Sequence, residues 1–142
     1  MIFSDSRVQL GIKTLVDEKK ISLESLEKIT RISGHDINNF MNGKEIDISL
    51  DKSTYLAELY DLLTDGMSMI KDDERLKSII EVLVVHHKLN IESIALCTNL
   101  PRNNIEQFLE DPMGISAEDK YQMAIRILFL YYIFKFPNYQ NI

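Results

Sequence analysis

No tryptophan and only one cysteine, Cys97, occur among the 142 residues of this chain. A lone cysteine cannot close an intrachain disulfide, which fits a reducing, intracellular setting. Three prolines and five glycines leave few points at which a helix is forced to stop. Alternating runs of Val, Thr and aromatic residues, the mark of strands, are scarce. The longest apolar run, ILFLYYIFKF near the C-terminus, is about half the ~20 residues that a bilayer-spanning helix needs. The opening MIFSDSRVQL lacks the basic and apolar regions of a secretion signal. These shortages predict an all-α, cytoplasmic protein with no membrane contact.

Positive charge is also short. The formal net charge is −6. Residues 1–66 carry 8 basic and 12 acidic side chains, net −4, and residues 67–142 carry 8 and 10, net −2. Neither half is a basic nucleic-acid module on charge alone. Signatures of chemistry are missing as well. There is no glycine-rich phosphate loop, no His-Glu zinc motif and no Ser or Cys nucleophile signature. His86-His87 and Cys97 fit no zinc spacing, and adjacent residues on a helix do not share a face. The expectation is a non-enzymatic protein without metal or cofactor.

What the chain does contain is a repeated sentence. LESLEKITRISGHDINNF (Leu23–Phe40) and IESIALCTNLPRNNIEQF (Ile91–Phe108) align at an offset of 68 residues. Five positions are identical: Glu24/Glu92, Ser25/Ser93, Thr30/Thr98, Ile37/Ile105 and Phe40/Phe108. Apolar positions agree at Leu23/Ile91, Leu26/Ile94, Ile29/Cys97 and Ile32/Leu100, so Cys97 is expected as a small buried apolar residue. The agreement extends back through Val8/Leu76, Ile12/Ile80 and Leu15/Leu83. After a slip of one residue it resumes at Ile48-Ser49 and Ile115-Ser116. An apolar pattern kept over some fifty residues predicts two tandem copies, residues 1–66 and 67–142, divided at Asp65-Gly66.

Each copy reads as four helices. In the first they run from about Ser6 to Lys19, from Ser22 to near Thr30, from Ser33 to before Gly43, and from Ser49 onward with Leu56, Leu59, Tyr60 and Leu63 inward. Val8, Ile12, Leu15 and Val16 form the face of the first helix. Ser22, Ser33 and Ser49 are the expected N-caps, with Asp36 completing a capping box at Ser33. In the second copy the helices run over about 74–88, 91–98, 102–110 and 117–136. Asn90 and Ser116 are the caps there, and Asp72-Asp73-Glu74 suit a helix N-terminus.

In the second copy Ile94-Ala95, Asn99, Leu100, Ile105 and Phe108 stand at a characteristic spacing. Ala95 is the small residue where one helix crosses the next, and Asn99 is a turn residue that tolerates positive φ. The first copy has Leu26, Ile32, Ser33, Ile37, Phe40 and a closing Asn42-Gly43. This spacing resembles the helix-turn-helix of the λ-repressor-like (XRE-type) regulators, roughly L-A-x-x-x-G-[VIL]-S-x-x-x-I-x-x-[FYW]-x-x-G. Glu27 stands where that pattern has Ala and Arg31 where it has Gly. Pro101 and Asp111 are departures in the second copy. The resemblance spans about 55 residues of each half.

The resemblance implies that the second helix of each pair docks in the major groove of double-stranded DNA. The groove-facing residues are then Ser33, Gly34, His35, Asn38, Asn39 and Asn42, followed by Lys44. In the second copy they are Arg102, Asn103, Asn104, Glu106, Gln107 and Glu110. Asn can donate to and accept from adenine at once. Glu106, Glu110 and Asp111 would repel phosphates, so the first copy is expected to dominate. The implied function is transcription regulation by operator occupancy. The rival is a protein-interaction module on a degenerate helix-turn-helix fold. A neutral or positive surface around His35–Lys44 favours DNA, and a continuous negative one favours the rival.

The C-terminal AIRILFLYYIFKF is apolar almost all round. It is either a central helix buried between the copies or one whose excess face meets a second subunit in a homodimer. Tyr131, Tyr132, Phe134 and Phe136 cannot all share one face, and Pro137 to Ile142 read as a tail.

Overall fold

The computed structural model describes residues 1–135. Over these the protein is helical, and it divides into two compact units, Met1–Met69 and Ile70–Ile142. Phe136 and the Pro137 to Ile142 tail lie outside the described residues.

The first unit begins with a strand, β1 (Ile2–Phe3), then α1 (Ser6–Asp17), α2 (Leu23–Thr30) and α3 (Gly34–Met41). A second strand, β2 (Ile46–Asp47), precedes α4 (Leu50–Thr64) and the four-residue α5 (Gly66–Met69). Serine and aspartate caps set the helix starts. Asp5 accepts from the amides of Arg7 and Val8, Ser22 from Ser25, Ser33 from Asp36 and Ser49 from Lys52. Each cap satisfies an amide that has no partner inside the helix. An acid does reach the start of α3, but it is Glu27 of α2: its Oε2 accepts the Gly34 N–H at 2.8 Å.

The strand pair is absent from the sequence reading. Ile2 faces Asp47 and Phe3 faces Ile46 in antiparallel register. Two residues are too few to show alternation, and the pairing rests on contacts distant in sequence. The N-terminal ammonium pairs with the Asp47 carboxylate, and the Phe3 ring stacks on Phe40 at 5.2 Å between centroids. α4 stops at Thr64 with Asp65 as its C-cap, where Asp65-Gly66 was expected to end it, and Gly66 opens the short α5.

The core of this unit is Val8, Ile12, Leu15, Leu26, Ile32, Ile37, Phe40, Ile46, Ile48, Leu56 and Leu59. Phe40 is 1% exposed, and removing a buried Phe costs about 3–5 kcal/mol. α1 packs on α4 and on α3, and α2 packs on α3, so the apolar stripe of α3 is fixed from two sides while its polar side faces solvent.

The second unit holds α6 (Asp72–Val85), α7 (Ile91–Thr98), α8 (Arg102–Glu110), a single 3-10 turn at Pro112–Gly114 and α9 (Ala117–Lys135). Its core is Leu76, Ile80, Leu83, Ile94, Ala95, Leu100, Ile105, Phe108, Ile115, Met123, Ile127 and Leu130. Asn90 accepts from the Ser93 amide and Ser116 from the Asp119 amide. α6 ends earlier than its apolar run suggests, because Lys88 turns left-handed at φ 61° and Leu89 N–H closes back on Leu83 O.

The two units repeat backbone conformation and hydrogen bonding as well as residues. Lys20 and Lys88 both have φ 61°, and Ile21 and Leu89 both donate to the carbonyl six residues back at 3.0 Å. Arg31 and Asn99, at the ends of α2 and α7, have φ 58° and 53°. Thr30 and Thr98 are buried, and each hydroxyl donates to the carbonyl four residues back at 2.6 Å. In each unit a cation from the last long helix closes that turn. Lys52 Nζ donates to Arg31 O at 2.9 Å, and Arg126 Nη1 to Asn99 O at 2.7 Å.

Cys97 corrects an expectation. It is exposed, because α7 buries Ile94, Ala95 and Thr98 and position 97 points away from them. Its counterpart Ile29 is exposed too, at 46%. The alignment of these two positions stands; the inference from apolar to buried does not.

Candidate nucleic-acid interface

The outward side of α3 is built by the same period that buries its other side. With Ile37 and Phe40 in the core, positions 35, 38, 39 and 42 fall together on the far face. His35, Asn38 and Asn42 are exposed and Asn39 is half-buried. Asn39 Nδ2 lies 3.2 Å from His35 Nε2, one turn away, so the two side chains orient each other. Asn42 Nδ2 donates to the Asn38 carbonyl at 2.8 Å. Ser33 is exposed, and its Oγ is engaged in the cap.

Beyond α3 the chain reverses at Gly43, whose φ of +90° suits glycine. Lys44 follows with its backbone held twice: its N–H donates to Asn39 O, and its carbonyl accepts from Gln9 Nε2 at 3.2 Å. Its side chain is exposed. Arg31, which the pattern reading set aside as a departure, is also exposed and sits just before the Ser33 cap. Residues 31–44 therefore carry two cations, Arg31 and Lys44, against one carboxylate, Asp36. With the Glu27 carboxylate reaching Gly34 from α2, two cations face two carboxylates and this surface is close to neutral within an acidic chain. Arg31 has a φ of 58°, that of a left-handed helix C-cap, shared with Asn99 in the second unit, and it brings an exposed cation to the start of α3.

The second set behaves differently. Arg102, Asn103 and Gln107 are exposed and Asn104 half-buried on α8. Arg102 Nε donates to Glu106 Oε1 at 2.6 Å, and its Nη1 lies 3.9 Å from Glu92 Oε2. The hydrogen bond to Glu106, then its charge, holds the guanidinium above its ordinary pKa. Gln107 Nε2 donates to Gly114 O at 3.2 Å, pinning the 3-10 turn. Asn103 borders an open depression with Glu106, Gln107, Glu110 and Asp111. This outward face presents carboxylates, and its one arginine is already paired with two of them.

Among the described residues no helix is long and apolar enough to cross a membrane. Residues 3–140 match a protein family described as a helix-turn-helix domain, a span that runs through both units. No curated protein and no solved structure matches the chain.

Proposed function

This chain belongs to that helix-turn-helix domain family, and we propose that it is a non-enzymatic, cytoplasmic DNA-binding protein. In this reading it regulates transcription by occupying an operator. The carrying observation is the outward face of α3. His35, Asn38, Asn39 and Asn42 lie side by side there, between Arg31 and Lys44. Paired amides of this kind suit the donor and acceptor edge that adenine shows in the major groove. The two cations suit flanking phosphates.

The chain is read as two tandem λ-repressor-like copies, one in residues 1–66 and one in residues 67–142. The matched left-handed turns at Arg31 and Asn99 support this, as do the matched threonine hydroxyls. The second copy keeps the fold and contributes no DNA contact. Its Arg102 is held by Glu106 and Glu92, and its Gln107 serves the Gly114 turn. That acidic face favours, for the second copy alone, a role in meeting a protein partner.

The test is fluorescence anisotropy of a labelled random duplex at low and moderate salt. Binding is expected at low salt and should fall steeply as salt rises, because each neutralised phosphate releases counterions. Absence of binding at low salt overturns the proposal and leaves protein interaction as the function of both copies.

A further inference from the structure

On the outward side of α3 one hydrogen bond fixes the chemistry of two side chains. Asn39 Nδ2 lies 3.2 Å from His35 Nε2. An amide nitrogen only donates, so Nε2 is the accepting nitrogen of a neutral ring, and the ring proton sits on Nδ1. The spacing of four residues brings the two side chains together on one helix face. Both ends of the pair are anchored. The Asn39 carbonyl accepts the N–H groups of Asn42 at 3.2 Å and of Lys44 at 3.0 Å. The first turn, which carries His35, is held by Ser33 and Glu27. Asn39 is half-buried, which limits the ways its amide can turn.

The bond also decides what Asn39 has left to offer. His35 takes one of its two N–H groups; the other N–H and Oδ1 remain. One donor beside one acceptor complements adenine, which shows N7 as acceptor and its N6 amino group as donor. Guanine shows two acceptors, N7 and O6. To meet guanine, Asn39 would have to present both N–H groups, and Oδ1 would then turn towards position 35. The lone pair on His35 Nε2 would face that oxygen, and the two repel. An acceptor at position 35 therefore favours adenine, whereas a donor there would favour guanine. Residues Gly34–Met41 of α3 include no Arg or Lys, the commonest readers of guanine.

Taking α3 as the DNA face proposed above, we propose that His35 is a positioning residue that sets the Asn39 amide and makes it a reader of adenine over guanine. The test begins with selection of a preferred site from a random duplex library by the full chain. Each base pair of that site is then replaced in turn, with wild type and with Asn39→Ala. The pair that Asn39 reads is the one whose discrimination Asn39→Ala abolishes. It should be A·T, and exchange of its adenine for guanine should weaken wild-type binding roughly tenfold or more. His35→Ala should lower this adenine-to-guanine ratio several-fold. His35→Gln, whose Oε1 can accept the same N–H, should restore it. His35→Lys, which can only donate, should move the preference towards guanine. Each ratio compares two duplexes on one protein at one salt, so partial unfolding or altered phosphate attraction scales both affinities alike. Three results overturn the proposal while DNA binding stands: no pair that depends on Asn39, guanine at that pair in wild type, or a ratio unchanged in both His35→Ala and His35→Lys. No binding of any duplex at low salt removes the DNA reading itself, and the role of His35 with it.

Discussion

The Gly34 amide donates to Glu27 Oε2 at 2.8 Å, so a carboxylate on α2 holds the first residue of α3. Family proteins with the resembling pattern keep alanine at this crossing, as Ala95 does in the second unit, where it is 5% exposed. Glu27 is exposed and acts as a cap reaching across the turn. An acid at a helix N-terminus stabilises it by about 0.3–1 kcal/mol, yet it also places a negative charge beside the surface proposed to meet phosphates. Glu27→Ala should therefore lower Tm by a few degrees while raising affinity for random duplex at low salt. Anisotropy and a thermal melt on the same preparation separate the two effects. If both fall together, Glu27 is positioning the DNA face rather than repelling its ligand.

Gly11 lies buried in α1 directly under the ring of Tyr60. A methyl group there would overlap the ring well inside van der Waals contact. Replacing a mid-helix glycine by alanine ordinarily gains about 0.5–1 kcal/mol. Overpacking costs about 1–3 kcal/mol, and here the atom in the way belongs to a half-buried ring that can shift only in part. The clash should win, so Gly11→Ala is expected to destabilise by about 1 kcal/mol or more in urea unfolding. A stabilised Gly11→Ala would show that Tyr60 moves aside freely and that the α1 and α4 contact is loose.

Arg31 and Asn99 occupy the same left-handed turn at φ 58° and 53° but do not tolerate it equally. The left-handed region costs most L-residues about 1–2 kcal/mol, while Asn visits it more readily. Glycine removes that strain but adds about 0.5–1 kcal/mol of backbone entropy to the unfolded chain. Arg31→Gly should then raise Tm, and Asn99→Gly should leave it nearly unchanged. Equal shifts at the two positions would mean that Arg31 carries no more strain in this turn than Asn99 does.

The helices and their caps were legible because both are local. Ser22, Ser33, Ser49, Asn90 and Ser116 each accept a backbone amide three residues on, and period and cap residue are written within one turn of sequence. What was not legible depends on partners far along the chain. Strand β1 exists because β2 lies 44 residues on, register Ile2 to Asp47. Cys97 is exposed because Ile94, Ala95 and Thr98 take the inner face of α7, and apolar character alone does not tell which side is inner. The pattern marks Arg102 and Gln107 as outward, as they are. It does not tell that Glu92 and Glu106 hold the first and Gly114 the second.

Three alanine variants divide the proposed roles. Asn39 is set against His35 at 3.2 Å on the outward face of α3, and a side chain that reads a base edge contributes discrimination of about 1–3 kcal/mol. Asn39→Ala should weaken a selected specific site roughly tenfold or more by this measure, with little effect on random duplex. Lys44 offers only charge, so Lys44→Ala should weaken specific and random duplexes alike and lower the salt slope by about 1. Arg102 is already neutralised by Glu106 and Glu92, so Arg102→Ala should leave both affinities nearly unchanged. Equal losses for Asn39→Ala on specific and random duplex would remove its base-reading role. A loss for Arg102→Ala as large as that for Lys44→Ala would mean that DNA competes successfully with two carboxylates, and that the second unit joins the contact after all.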